Sequence, residues 1–181
     1  MELLTDRLIL HEYTKKDNHC LYKLFSEDFI SAYVEHLPKS LSAIDDYIDL
    51  YLENSKFPKR THYFYAIRLR ESQEFVGCVG YSFVEEIVIN DTHGSVMELE
   101  YYLLEKHWGK GFATEAVRRI ISSTSMNGNT VKIIAQCHKN NHESEKVLIK
   151  CGMVKSKNQP NPKLYNGVLL NNVRYEICIN R

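Results

Sequence analysis

Alternating and helically spaced apolar positions divide the first half of the chain into strands and helices. An alternating run predicts a first strand over about residues 7–13. Apolar residues at i, i+3 and i+4 then predict two helices, over about residues 17–27 and 41–54. Two aromatic and β-branched runs, at 63–70 and 75–84, are joined by a short polar segment and predict a hairpin.

The second half of the chain alternates strands with helices. Its predicted elements are a turn at 90–94, a strand at 96–104, a helix after Gly111, a strand at 131–135, a helix ending at Gly152 and strand material at 168–179. The order β-αα-βββ-α-β-α-ββ predicts an α/β (α+β) fold, with a mixed sheet and helices on both faces. Because no linker or repeat interrupts the pattern, we expect one domain over residues 1–181.

Composition narrows the class of protein. The 181 residues include 23 basic and 23 acidic side chains, so the formal net charge is zero and gives no general attraction to nucleic acid or to an anionic membrane. No apolar stretch approaches the ~20 residues of a membrane span. The five cysteines form no CxxC pair and are typical of reduced thiols in a cytoplasmic protein. The eight histidines have no ligand-like spacing, so we expect no metal.

The strongest chemical signal is a glycine turn at the start of the predicted helix. Gly109 and Gly111 flank Lys110 there, with Lys106 close by in sequence. Backbone N–H groups at a helix N-terminus can bind a pyrophosphate that approaches closely where side chains are missing. A tight turn that needs glycine for geometry alone is the alternative. A P-loop is absent, and the dinucleotide motif fails because Thr114 occupies its third glycine position.

Three segments together resemble one family. Residues 98–104 with 108–116 (Trp-Gly-Lys-Gly-Phe-Ala-Thr-Glu-Ala) resemble the acetyl-CoA-binding segment of the GNAT N-acetyltransferases, with Lys106 at the Q/R position of the Q/R-x-x-G-x-G/A pattern. Residues 5–10 and 141–153 resemble segments of the branch that includes the bacterial ribosomal-protein N-terminal (Rim-type) acetyltransferases. The resemblance implies a mostly antiparallel sheet that splays between its fourth and fifth strands, and acetyl-CoA as cosubstrate.

The resemblance also implies a cofactor groove. Its expected residues are Leu103, Leu104, Gly109, Lys110, Gly111, Phe112, Ala113, Thr114 and Asn141. Trp108 would either pack beside the cofactor or anchor the turn from below. Asn141 would hydrogen-bond the pantetheine arm or cap the next helix, and a capping box formed by Asn140 and Glu143 would leave it available for the cofactor.

Catalytic candidates follow from the same resemblance. Many family members carry a tyrosine acid four residues before the helix-ending glycine, but Leu148 stands there, so Ser144 is the expected donor to the leaving thiolate. Glu98 and Glu100 are the candidate bases. They fall on the same face of one strand, so alternation cannot choose between them, and both could be ordinary solvated carboxylates.

The chemistry of the acceptor amine favours a weakly basic group. A lysine-like amine, with a pKa of about 10.4, is only about 0.1% neutral near neutral pH, which costs about 4 kcal/mol, whereas an α-amine costs less than about 1 kcal/mol. We therefore expect a protein N-terminus or a small amine rather than spermidine, whose site would need converging carboxylates. The early helices and last hairpin would supply the acceptor site, with Tyr33, Glu35, Tyr47 and Tyr165 as candidates.

Two other functions fit the same residues. The chain could be a catalytically silent acyl-CoA-binding or regulatory module of the same fold. Without the resemblance, it could be a nucleotide- or phosphate-binding α/β protein. The oligomeric state is open, and a homodimer is compatible with the sequence.

Overall fold

A sheet of eight strands, with helices on both faces, forms the core of the computed structural model. The structure describes residues 2–34, 37–57, 59–89, 92–126, 129–161, 163–165 and 168–179. The helices are α1 (Asn18–Phe25), α2 (Asp28–Tyr33), α3 (Leu41–Asn54), α4 (Phe112–Met126) and α5 (His142–Lys150). The strands are β1 (Glu2–Leu4), β2 (Leu8–Glu12), β3 (His62–Leu69), β4 (Phe75–Ile89), β5 (Thr92–Leu103), β6 (Thr130–His138), β7 (Val154–Lys155), β8 (Lys163–Tyr165), β9 (Val168–Leu170) and β10 (Asn172–Cys178).

The order of the strands places one parallel pair inside an antiparallel sheet. The order is β1-β2-β3-β4-β5-β6-β10-β7, and β8 pairs with β9 in a separate hairpin. Within the large sheet only β5 and β6 run parallel, and their pairing ends at Leu99 and Ala135. Beyond that point β5 stays paired with β4, while β6 stays paired with β10. The two strands therefore splay apart. They are the fourth and fifth strands of the sequence prediction, which did not include β1, so the splay lies where the resemblance implied.

Each face of the sheet buries its own apolar cluster. Helices α4 and α5 cover one face, where Val117, Ile120 and Leu148 pack against strand residues such as Leu99. Helices α1 to α3 cover the other face, where the core includes Ile48. Because side chains alternate along β5, Leu99, Tyr101 and Leu103 contribute to the first face and Tyr102 and Leu104 to the second. This confirms the predicted helices on both faces.

The longest predicted elements match the structure well. The helix predicted at 41–54 is α3, whose N-terminus is capped by Ser40 through a bond from the Ala43 N–H at 3.2 Å. The helix predicted to end at Gly152 does so, since this glycine follows the C-cap with φ +86°.

Shorter elements were missed or misplaced. The strand predicted first is β2, because β1 precedes it, and α2 follows α1 without having been predicted. Residues 90 and 91 of the predicted turn at 90–94 lie outside the described residues, while His93 and Gly94 already belong to β5 and pair with β4. The strand material predicted at 168–179 forms the two strands β9 and β10. Elements of three to six residues contain too few positions to establish a period.

The described part of the chain contains neither a membrane-spanning helix nor a cluster of metal-binding side chains. None of its helices combines the length and the apolar character needed to cross a membrane. Its His, Cys, Asp and Glu side chains form no group of three or more that could hold a metal ion.

Candidate active site

The glycine turn between β5 and α4 presents open backbone. Gly109 and Gly111 have φ values of +71° and +82°, a region that disfavours most side chains, so glycine is the favoured residue at both positions of the turn. A Cβ built on Gly109 would have no described atom within 4 Å, so the outer side of the turn is also accessible. The first-turn N–H groups of α4 carry the positive end of the helix dipole. This arrangement suits a phosphate-bearing ligand.

The N-terminal segment holds this turn in place. The Nη1 of Arg7 donates to the carbonyl of Lys110 at 3.0 Å, and its Nε and Nη2 contact Oε2 of Glu115 at 2.7 and 2.6 Å. The other oxygen of Glu115 accepts from the hydroxyl of Thr5 at 2.6 Å and the backbone N–H of Arg7 at 2.9 Å. Burial opposes ionisation of Glu115, but these bonds from Thr5 and Arg7 outweigh it and lower its pKa.

Two residues before the turn have partners that their sequence positions do not reveal. The ammonium of Lys106, at the family's Q/R position, forms an ion pair with Glu74. Trp108 anchors the turn by donating from Nε1 to the carbonyl of Leu103 at 2.9 Å, and its ring meets Phe29 edge-on at 4.3 Å. It is not buried under the turn, however, because 42% of its surface is exposed.

The other predicted groove residues surround the turn in different ways. Lys110 is exposed, Ala113 and Thr114 are half-buried, and Phe112 is buried below Arg7, whose Cζ lies 4.6 Å from the ring centre. The side chains of Leu103 and Leu104 are buried on opposite faces of the sheet. The exposed Lys110 can therefore meet a ligand through its side chain, whereas Leu103, Leu104 and Phe112 can do so mainly through their backbone.

The splay beyond Leu99 and Ala135 exposes backbone that an extended ligand could pair with. Residues 100–103 of β5 pair with β4 on one side, and no described pairing joins their other side to β6. An extended chain can bind such an edge as an additional strand. Residues 104–108 separate this edge from Gly109, the first glycine of the turn.

Ser144 and Tyr101 meet across the splay. Their hydroxyl oxygens are 2.6 Å apart, and the Tyr101 hydroxyl also lies 3.1 Å from the carbonyl oxygen of Ser144. Burial raises the pKa of Tyr101 well above its ordinary value, although the bond with Ser144 acts in the opposite direction. Sequence reasoning missed Tyr101 because it sought a tyrosine on α5, where Leu148 is fully buried.

The expectation about the cap of α5 was wrong. Asn141 is itself the N-cap, and its Oδ1 accepts from the N–H of Ser144 at 3.0 Å. Glu143 instead forms an ion pair with Lys146 at 2.7 Å. The cap uses the carboxamide oxygen of Asn141, and none of the described hydrogen bonds uses its amide nitrogen.

Glu98 and Glu100, which alternation places on the same face of β5, have different surroundings in the structure. Glu98 accepts from Nε2 of Gln136 on β6 at 2.8 Å. Glu100 accepts from the hydroxyl of Tyr102 at 3.3 Å and lines a cleft of about 420 Å³ between the sheet and α3. The other residues that line this cleft are Tyr47, Leu50, Tyr51, Asn54, His62, Phe64 and Ser82.

Only one predicted acceptor residue can be placed in this cleft. Tyr47 lines it, and its hydroxyl accepts from that of Tyr51 at 3.0 Å. Glu35 lies outside the described residues, and the side chains of Tyr33 and Tyr165 are also outside the described part.

Comparison with known proteins identifies the family. The sequence model of the acetyltransferase (GNAT) domain matches residues 7–154. The chain belongs to the GNAT acetyltransferase family. It is therefore an acyltransferase enzyme, and the match extends from the Arg7 segment through the glycine turn to α5.

The similar proteins are named as acetyltransferases, and the two solved structures among them have names with different acceptors. The uncharacterized N-acetyltransferase YoaA of Bacillus subtilis strain 168 is 27% identical over 158 residues, covering 84% of this chain and 82% of YoaA. The ribosomal-protein-S5-alanine acetyltransferase of Vibrio fischeri has a TM-score of 0.80 at 16% identity, covering 99% and 97% of the two chains. The spermidine N-acetyltransferase of Vibrio cholerae, solved with CoA and spermine, has a TM-score of 0.77 at 18% identity, covering 97% of both. These two structures share the fold of this chain, and the different acceptors in their names leave its own acceptor open.

Proposed function

We propose that this GNAT enzyme transfers the acetyl group of acetyl-CoA to a primary amine by direct attack within a ternary complex. The observation that carries the proposal is the open glycine turn at Gly109 and Gly111, which follows the splayed edge of β5 after residues 104–108. Together they offer one continuous surface for a pyrophosphate followed by an extended arm. The acceptor would be a protein or peptide α-amine, or a small amine of similar basicity.

Residues on both sides of the splay would hold the cosubstrate. The N–H groups of residues 109–114 would bind the pyrophosphate, with the Lys110 ammonium nearby. Residues 100–104 would lie along the pantetheine arm, and the amide nitrogen of Asn141 would donate to it. Acetyl-CoA supplies an activated thioester whose carbonyl carbon the amine attacks.

The hydroxyls of Ser144 and Tyr101 would stabilise the departing sulfur. The amine forms a C–N bond as the C–S bond breaks, and the thiolate leaves with the electron pair and later takes up a proton. A thiol has an ordinary pKa of about 8.5, and the buried Tyr101 is a much weaker acid than that. The hydroxyl pair therefore acts by hydrogen bonding to the thiolate rather than by giving up the tyrosine proton.

Glu100 is the better placed of the two candidate bases. Its carboxylate lines the cleft next to the splay, whereas Glu98 is held by Gln136. An α-amine is partly neutral at physiological pH, so Glu100 needs only to orient the amine and accept its proton, directly or through water.

The test is CoA release from acetyl-CoA, measured with short N-terminal peptides and with spermidine between about pH 6 and pH 9. We expect release that depends on the acceptor and is faster with peptides. Turnover of spermidine with none on peptides would contradict the assignment of the acceptor. Binding of CoA with no release in the presence of any amine would contradict the catalytic assignment and favour a silent acyl-CoA-binding module.

A further inference from the structure

The cleft beside Glu100 has an aromatic wall. The rings of Tyr47 and Tyr51 lie 4.7 Å apart at 80°, and the ring of Phe64 lies 4.9 Å from that of Tyr51. Leu50 extends the apolar surface at the rim, where it is 70% exposed. A wall of this kind gains most from covering an apolar or aromatic group.

The charged side chains that line the cleft determine how many positive charges a ligand can carry there. Glu100 is the one carboxylate among the described side chains that line it, and no Lys or Arg is among them. Burial lowers the pKa of His62, although the Glu100 carboxylate opposes this, so the imidazole is neutral at physiological pH. The cleft therefore matches one positive charge and not several.

Carboxylates elsewhere on α3 do not add to this charge. Asp45 accepts from the side chain of Asn18 at 3.1 Å, Asp49 pairs with Lys15 at 2.5 Å, and Glu53 pairs with Lys56. None of these carboxylates lines the cleft. A polycation would leave its further charges without matching carboxylates here, at a cost in lost hydration.

The cleft also lies beside the splay, where the proposed function requires the amine to reach the thioester. Glu100 is the first residue of β5 beyond the last pair with β6, Leu99 with Ala135. Its backbone therefore belongs to the splay while its side chain lines the cleft. A volume of about 420 Å³ suits a compact molecule or a single residue.

We propose, on the basis of the function proposed above, that this cleft selects a singly charged primary amine carried by an apolar, ring-sized group. Glu100 lies beside the ammonium, and the walls formed by Tyr47, Tyr51, Phe64 and Leu50 cover the ring. A free amine and the first residue of a peptide share this chemistry.

The test compares acceptors that differ in the ring alone. With acetyl-CoA, L-phenylalaninamide should give a kcat/KM at least about tenfold above that of glycinamide, and spermidine should be poorer than both. Two peptides that differ only in beginning with Phe or Gly distinguish the two sources. Faster turnover of the Phe peptide than of the Gly peptide supports a chain N-terminus, and turnover of phenylalaninamide with none of either peptide supports a free amine. Equal turnover of the two peptides would overturn the ring-selective cleft.

Two exposed leucines of α3 provide a matched pair of variants. Leu50 lines the cleft and Leu41, which is 38% exposed, does not. Leu50→Ser should lower the ratio of kcat/KM for phenylalaninamide over glycinamide at least about threefold, while Leu41→Ser should leave it unchanged. Equal ratios in the two variants would overturn the inference.

The outcomes separate this inference from the proposed function. Acetylation of glycinamide or spermidine as fast as phenylalaninamide would leave the acetyltransferase function intact and overturn the ring-selective cleft alone. Binding of CoA without acetylation of any amine would overturn both.

Discussion

Arg7 and Glu115 join the segment before β2 to the glycine turn. Both Nε and Nη2 of Arg7 contact the same carboxylate oxygen, at 2.7 and 2.6 Å, although 108 residues separate the two in sequence. Through Nη1 the same guanidinium holds the carbonyl of Lys110, which lies between the two glycines of positive φ. We therefore expect Arg7 to be a positioning residue that fixes the direction of the turn's N–H groups.

Arg7→Lys should weaken CoA binding about tenfold, since an ammonium cannot hold both Glu115 and the Lys110 carbonyl as the planar guanidinium does. The KM for acetyl-CoA should rise with little change in kcat. Arg119→Lys is the matched control. Arg119 lies on α4, as Glu115 does, but it donates to the carbonyl of Leu4 at 3.1 Å rather than to the glycine turn. Calorimetric titration with CoA measures the effect, and equal affinities for Arg7→Lys and the wild type would contradict it.

The free energy of unfolding should depend on pH through the ionisation of Glu115. Its pKa in the folded protein is lowered, so its ionised form contributes stability at pH values above about 4.3, the ordinary glutamate pKa. That contribution is lost progressively below this value, as the pH falls through the folded-state pKa. The stability difference between wild type and Glu115→Gln should shrink between neutral pH and about pH 3 in urea unfolding. A difference that stays constant with pH would show that the charge of Glu115 contributes nothing.

Ser144→Ala and Tyr101→Phe should each lower kcat, by at least about tenfold and up to about 10²-fold, because each removes a hydroxyl from the pair that meets the thiolate. Binding of CoA should change by less than about twofold, since the sulfur is neutral in the ground state. Ser123→Ala is the control, because the Ser123 hydroxyl donates to the carbonyl of Ile120 within α4. An unchanged kcat in both variants would make the pair a packing feature.

Gly109→Asp should abolish most CoA binding, whereas Gly109→Asn should retain more of it. The two side chains have the same shape and both tolerate positive φ, so the difference in affinity isolates the charge beside the pyrophosphate. We expect a difference of at least about tenfold at low salt. Gly111→Asp is less informative, because its Cβ would lie 3.4 Å from Nη2 of Arg7, which would partly neutralise the added carboxylate. Equal affinities of the two Gly109 variants would place the pyrophosphate elsewhere.

Sequence reasoning succeeded where the signal was local and long. The fourteen residues of α3 combine an apolar stripe with the Ser40 cap, and Gly152 ends α5 through its own φ value. Alternation also placed Glu98 and Glu100 on one face. It could not separate them, because the separation depends on Gln136 from a neighbouring strand.

The site residues that were missed depend on contacts between distant segments. Nothing near Tyr101 in sequence indicates that its hydroxyl reaches Ser144, 43 residues later. The competing cap at Asn140 was plausible from spacing alone. Asn141 takes the role because its Oδ1 accepts from the N–H of Ser144, a bond that depends on the backbone conformation entering α5.

The central claim is that acetyl moves from CoA to an amine at the splay beside the glycine turn. The most direct measurement follows isotope-labelled acetyl-CoA incubated with an N-terminal peptide or phenylalaninamide, with labelled product and released CoA both quantified by mass spectrometry. We expect label to appear on the amine in step with CoA release. Gly109→Asp should lose labelled product and CoA release at a cosubstrate concentration where Gly109→Asn retains them. Ser144→Ala should slow labelling and CoA release without losing CoA binding. CoA released without labelled amine, or equal transfer by the two Gly109 variants, would contradict the central claim.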